Sequence, residues 1–255
     1  MRYTPPKLTA KQKKQQKAQE LVYAAYETRN PVETLDLIKK ARELDPDNVD
    51  ALCFMAAYSP ELPQMIDFYR RAVSVGKERL GDEFEEFRGH FWGFHETRPF
   101  MRAKAGLANA LIFAGLPSEA IGHFWEMLDL NKMDNQGIRY LLSTTLLGQN
   151  NLDNYNDLLA RFPDDSLAAW IYNHALFLFR KEGDTPKSTA KLYEAIGQNR
   201  HVPAYLLDTK RLPVKQQNSI IMGETSEAVE YVQHNQSLWG NTPNSLEWLK
   251  NVTLK

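Results

Sequence analysis

AKAGLANALIFAGLPSEAIGHFWEMLDLNK, residues Ala103–Lys132, carries the pattern that decides the fold. Apolar or small residues recur at Leu107, Leu111 and Ala114, then again at Ala120, Phe124, Met127 and Leu128. Spacings of three and four place each set on one face of a helix. Between the two sets stands Ala114-Gly115-Leu116-Pro117. Gly115 can take the left-handed conformation that closes a helix, and Pro117 suits the first position of the next. The stretch predicts a tight αα-hairpin.

Working outward, the same shape returns. Ile38 and Ala41 lead into ARELDPDN, ending at Asn48, and Met65, Tyr69 and Ala72 make another second-helix stripe. Tyr155 and Leu158 lead into ARFPDDS, ending at Ser166, and Leu192 and Ala195 follow a loop at Gly183-Asp184. The hairpin is expected four or five times. This arrangement resembles the tetratricopeptide repeat. That pattern wants a small residue in its first helix, a Gly near the turn, A-x3-F in the second helix and a Pro after it. Ala108, Gly115, Ala120 and Phe124 match, and Pro46 and Pro163 stand between repeats. Met127 replaces a small residue, Lys132 replaces the Pro, and Arg139 falls where the first helix usually needs a small side chain. The segments ETRPFMRA, from Glu96, and DNQGIRYLL, from Asp134, are similar to segments of bacterial tetratricopeptide-like proteins, a likeness that implies a fold and no particular activity.

The resemblance covers roughly Gln19 to Tyr205 and implies an all-α solenoid of degenerate hairpins with a C-terminal helical cap. Its hairpins must stack to bury their apolar faces, and stacking leaves a concave groove that takes a peptide or helix. The spacing from Ala72 to Met127 is 55 residues, which exceeds the period of about 34 by about 20. A break is expected there. The organisation read from the sequence is therefore a basic arm over 1–18, hairpins over 19–75, an inserted helix and junction over 76–98, hairpins over 99–205 and the cap over 206–255, with two lobes meeting near Gly76 to Thr97.

The inserted segment reads as a helix whose Leu80, Phe84, Phe87, Phe91 and Phe94 share one buried face. Thr97 is placed to cap the following helix, with Arg98 and Pro99 as its opening residues. Arg98 and Arg102 stand four apart and so lie side by side. They suit either a salt bridge between hairpins or a bidentate clamp for a carboxylate or phosphate. Asp134 or Asn135 is expected to cap the helix opened by Arg139 and Tyr140. First-helix residues in such repeats line the inner surface. The expected partner-binding residues are accordingly Arg98, Arg102, Asn109, Arg139, Tyr140, Thr144, Asn173 and His174.

Composition narrows the function. With 31 Lys plus Arg against 32 Asp plus Glu, the near-neutral chain makes nucleic acid an unexpected partner. Its single cysteine, Cys53, excludes an internal disulfide framework or a thiolate metal cluster and suits the reducing cytoplasm. Nowhere do about 18 apolar residues run together, so no membrane span is expected. The basic N-terminus lacks the apolar core of a secretory signal. Lys7, Lys11, Lys13, Lys14 and Lys17 precede the first acid, Glu20, and read as a solvated arm. His90 and His95 are five apart, without the four-residue spacing of a helical metal site. Phosphate-loop, dinucleotide and nucleophile-elbow patterns are missing from the sequence.

No catalytic residue, cofactor or metal is expected. The reading is a non-catalytic module binding a protein or peptide partner. Two alternatives stand beside it: an enzyme or ligand-binding regulator using His90, His95, Glu96 and Arg98, and an RNA-associated repeat protein.

Overall fold

A computed structural model of the chain describes residues 8–214 and 219–254. Among these the chain is all-α, with fourteen α-helices, one 3-10 turn and no β-strand. It divides into two compact units, Met1–Ile138 and Arg139–Lys255. The division expected near Gly76 to Thr97 thus falls instead at the start of the helix opened by Ile138.

The first unit contains α1 (Ala10–Glu27), α2 (Pro31–Leu44), α3 (Val49–Ala57), α4 (Leu62–Leu80), the single turn α5 (Glu83–Glu86), the 3-10 turn Phe91–Gly93, α6 (Arg98–Phe113) and α7 (Pro117–Leu130). The hairpins α1–α2, α3–α4 and α6–α7 each pack within themselves, while α3 rests on α1 and α6. Small residues allow this closeness: Ala18, Val22, Ala25, Ile38, Ala41 and Ala51 form one buried cluster, and Val49, Leu52, Ala72 and Ala103 the next. In α6–α7 the predicted stripe is buried at Leu107, Leu111, Ala120, Phe124, Met127 and Leu128. Burying a side chain such as Phe124 contributes about 2–3 kcal/mol over leaving it in water. Gly115 turns the chain at φ +73°, and Pro117 opens α7 as expected.

Three expectations in this unit fail for local reasons. The arm expected over 1–18 is helical from Ala10. Thr9 and Gln12 form a capping box, with Thr9 Oγ1 accepting from Gln12 N (3.2 Å) and Gln12 Oε1 from Thr9 N (2.8 Å). Lys11, Lys13, Lys14 and Lys17 thus lie on α1, while Lys7 lies outside the described residues. The inserted helix over 76–98 is also absent. Gly81 (φ +50°) and Gly89 (φ +91°) break it, and the Phe stripe splits. Phe84 and Phe91 meet edge-on at 5.2 Å beneath Phe100, whereas Phe87 and Phe94 stack on each other at 3.9 Å with Phe94 exposed. Thr97 occupies the cap position of α6, but its fully buried hydroxyl points backwards. It donates to the Phe91 carbonyl and lies 3.0 Å from that of Phe94. Asp134 does cap, accepting from Ile138 N at 2.7 Å.

The second unit contains α8 (Ile138–Gly148, beginning at the division), α9 (Leu152–Arg161), α10 (Ala168–Glu182), α11 (Pro186–Gln198), α12 (Val202–Leu206), α13 (Thr225–Gly240) and α14 (Ser245–Thr253). The C-terminal stretch forms the two helices α13 and α14, which pack on α10, α11 and α12. Trp239, Trp248 and Leu249 are buried there. Neither Thr225 nor Ser226 caps α13 through its side chain. Ser226 Oγ accepts instead from Ile221 N at 2.9 Å.

This unit is pinned by buried polar groups. Glu227 accepts from Ala168 N (2.9 Å), Asn199 Nδ2 (2.9 Å) and Gly223 N (2.7 Å), so a carboxylate on α13 closes the first turn of α10. Asn173, with no exposed surface, donates to Ser143 Oγ and Asn235 Oδ1 and accepts from Tyr231 OH at 3.0 Å. Trp239 Nε1 in turn donates to Tyr231 OH at 2.7 Å.

Candidate functional site

One turn of α3 controls the most distinctive site in the first unit. Asp50 is the only charged residue of α3, VDALCFMAA, and it is fully buried. A carboxylate stays ionised in such a place only when donors surround it. Arg102 supplies two in a fork, Nε to Oδ1 at 2.8 Å and Nη2 to Oδ2 at 2.7 Å. Gln19 Nε2 adds a third at 3.0 Å, and Asn48 Nδ2 holds Gln19 in place at 2.9 Å. Tyr26 OH approaches at 3.4 Å. The pair thereby ties α1, α3 and α6 together.

Above it opens a cup of about 200 Å³ lined by Tyr26, Cys53, Phe54, Ala57, Tyr69 and Arg102. Tyr26 and Phe54 meet at 4.6 Å, and the Arg102 guanidinium lies 5.7 Å from the Tyr26 ring centre. Tyr26 and the neighbouring Tyr58 are half exposed. Tyr69 reaches the cup by crossing Gly106, where a Cβ would stand 2.2 Å from its ring. Burial, and then the Asp50 charge, hold the hydroxyl of Tyr26 and the thiol of Cys53 well above their ordinary pKa. Neither is a nucleophile at neutral pH. Burial alone would lower the Arg102 pKa, but its hydrogen bonds and attraction to Asp50 more than offset that, and the net shift is upward. The cup is consequently aromatic, with one cation whose charge is already matched.

The residues expected to contact a partner have mixed placements. Arg102 lines the cup, yet as half of a salt bridge between hairpins. Arg98 is spent on the Trp92 carbonyl (3.0 Å) and ring (5.6 Å), so the two arginines do not form a paired anion clamp. Asn109 is exposed on α6. In the second unit Arg139 pairs with Asp165 at 2.5 Å, and Tyr140 donates to the same carboxylate at 2.7 Å. Thr144 donates to Asn235 at 2.7 Å, and Asn173 is the buried hub described above. These four hold the unit's interior rather than offering free donors. His174 is half buried, and burial followed by the charge of Lys191 lowers its pKa to about 4. His90, His95 and Glu96 are exposed, and no group of three His, Cys, Asp or Glu among the described residues is arranged to hold a metal ion.

A larger cleft of about 560 Å³ lies in the second unit around Arg180. Its guanidinium donates to the carbonyls of Leu147 and Leu238 (3.0 Å) and to Thr242 Oγ1 (2.8 Å). Those carbonyls belong to the last turns of α8 and α13, whose dipole ends favour a cation. Arg180 therefore answers the helices rather than waiting for a ligand.

Asp50, Tyr26 and Phe54 were not singled out from the sequence as site residues, and Tyr69 was read only as part of a helical stripe. The available signal was a lone acid in an otherwise apolar nine-residue helix, a pattern that calls for a partner elsewhere in the chain. No protein-family model and no curated protein matches the chain. No helix among the described residues is long and apolar enough to cross a membrane.

Proposed function

We propose that the protein is a non-catalytic interaction module. Its hairpins would stack as a tetratricopeptide-like solenoid, and a segment of a protein partner would dock on the face of the first unit bearing the Arg102 cup. The observation carrying this reading is the cup itself, a partly open aromatic recess braced from below by a buried ion pair. Its volume of about 200 Å³ is under the range of about 300–1,000 Å³ usual for small-molecule sites. A recess of that size suits one side chain of a larger partner. Aromatic residues and Arg are also the types that most often dominate interface energy. The single cysteine fits a cytoplasmic setting.

The test is a displayed-peptide selection on the whole chain, followed by affinity measurement against Tyr26→Ala. Tyr26 is half exposed, so its truncation should leave the helical circular dichroism unchanged. Selected peptides are expected to lose at least about tenfold in affinity. Peptides indifferent to the substitution would move the partner surface elsewhere. A selection yielding no binders would remove the interaction reading.

A further inference from the structure

Resting on that reading, we propose that the cup is a reader of a single aromatic side chain, presented by the partner and stacked against the Arg102 guanidinium. Three observations lead there. The volume admits one anchor. The walls are the rings of Tyr26, Phe54 and Tyr69, the Ala57 methyl and the Cys53 thiol. The only cation is neutralised in its own plane by Asp50, which has no exposed surface. A fork-to-fork pair occupies the edge of a guanidinium and leaves its flat faces for stacking. Its positive charge still attracts a ring face, as the Tyr26 contact at 5.7 Å illustrates.

An acidic anchor fares differently. It would lose its water on entering the cup and meet an arginine whose hydrogen-bonding edge is already filled by the Asp50 carboxylate, which would repel it. Asp50 is in this sense a specificity-determining residue that never touches the ligand. It turns a cationic recess into a neutral aromatic one.

The full chain would be titrated with N-acetyl-tyrosinamide, N-acetyl-tryptophanamide, N-acetyl-aspartate and inorganic phosphate. Binding would be followed through the NMR signals of Arg102 Nε–H and the Ala57 methyl. The two aromatic amides should give saturable shifts with a Kd on the order of 1 mM, and the two anions should bind at least about tenfold more weakly. In Asp50→Asn, which keeps the shape and removes the charge, the order should reverse in favour of the anions. The proposal is overturned if wild type binds either anion as tightly as the aromatic amides, or if no probe gives a saturable shift at these signals. Should Asp50→Asn fail to fold, the wild-type comparison decides alone. If the probes fail while selected peptides still depend on Tyr26, the anchor chemistry is wrong and the interaction reading stands. If no peptide is selected while the aromatic amides bind, the interaction reading falls and the aromatic site remains.

Discussion

Replacing Arg102 by Ala should open the first unit without touching the second. The substitution leaves the Asp50 carboxylate buried with Gln19 and Tyr26 as its remaining donors. Removing one partner of a buried pair costs about 3–5 kcal/mol. Two features reduce that here: the Arg102 side chain is itself 30% exposed, and two donors remain. About 2–3 kcal/mol is expected. Cys53, the chain's one cysteine, sits nearly a turn beyond Asp50 in α3 and supplies an assay confined to this unit. Labelling of the native protein by a thiol reagent should accelerate by about 30- to 150-fold. Chemistry at the thiol works in the opposite direction. The Arg102 charge pulls the Cys53 pKa down, so its loss alone would slow the reaction, and acceleration reports greater access to the thiol. Adding Asp50→Asn removes the stranded charge and should recover about half of the loss. Labelling that is unchanged or slower in Arg102→Ala would refute the assignment of Asp50 as the charge that holds α3 to α6.

Three further outcomes follow from other sites. His174 has its pKa lowered to about 4 by burial and by Lys191 and Lys187, with Glu194 opposing. The unfolded chain therefore takes up this proton first as pH falls. The stability involved is complete above about pH 6.5 and is lost between there and about pH 4, up to about 3 kcal/mol. Urea titrations of wild type and His174→Gln across that window would check it, since the variant should lack this component. Gly106→Ala would drive a methyl into the Tyr69 ring, 2.2 Å from the new Cβ. It should cost about 1–3 kcal/mol in urea unfolding and weaken peptide binding by displacing a wall of the cup. Asn173→Ala would strand the Tyr231 hydroxyl donor and leave Asn235 Oδ1 with Thr144 as its remaining donor in the interior. A loss of about 2–4 kcal/mol in the unfolding of the second unit is expected, and a loss under about 1 kcal/mol would mean the network tolerates water in place of the amide.

The hairpins were legible because their signals are local. Leu107 to Leu128 repeat at helical spacing, and Gly115 with Pro117 fixes the turn by chain geometry alone. The corner between α4 and α6 was misread because four Phe at helical spacing mimic a buried face. Periodicity cannot register that Gly81 and Gly89 adopt positive φ and send Phe84 and Phe87 to different neighbours. The start of α1 was missed because a capping box outweighs a run of lysines. The cup was out of reach for another reason. Arg102 could be named from the sequence, but its partner Asp50 lies 52 residues away, and only the folded unit says that the pair is complete. The same holds for Asn173, Thr144, Arg139 and Tyr140, whose polar ends look available in a sequence and are consumed in the fold, the first two by Asn235 and the last two by Asp165.

The Glu227 carboxylate has a consequence for how the chain is made. A helix ordinarily caps itself from the residues just before it. In α10 that role is left to a side chain 59 residues downstream, which grips Ala168 N. Tyr231, on the same distant helix, supplies the donor that Asn173 needs. During vectorial synthesis the first unit, assembled mainly from neighbouring hairpins, can settle as it emerges. The second must hold α10 open-ended until α13 has left the ribosome, so its closure waits on a residue made 59 positions after the one it grips.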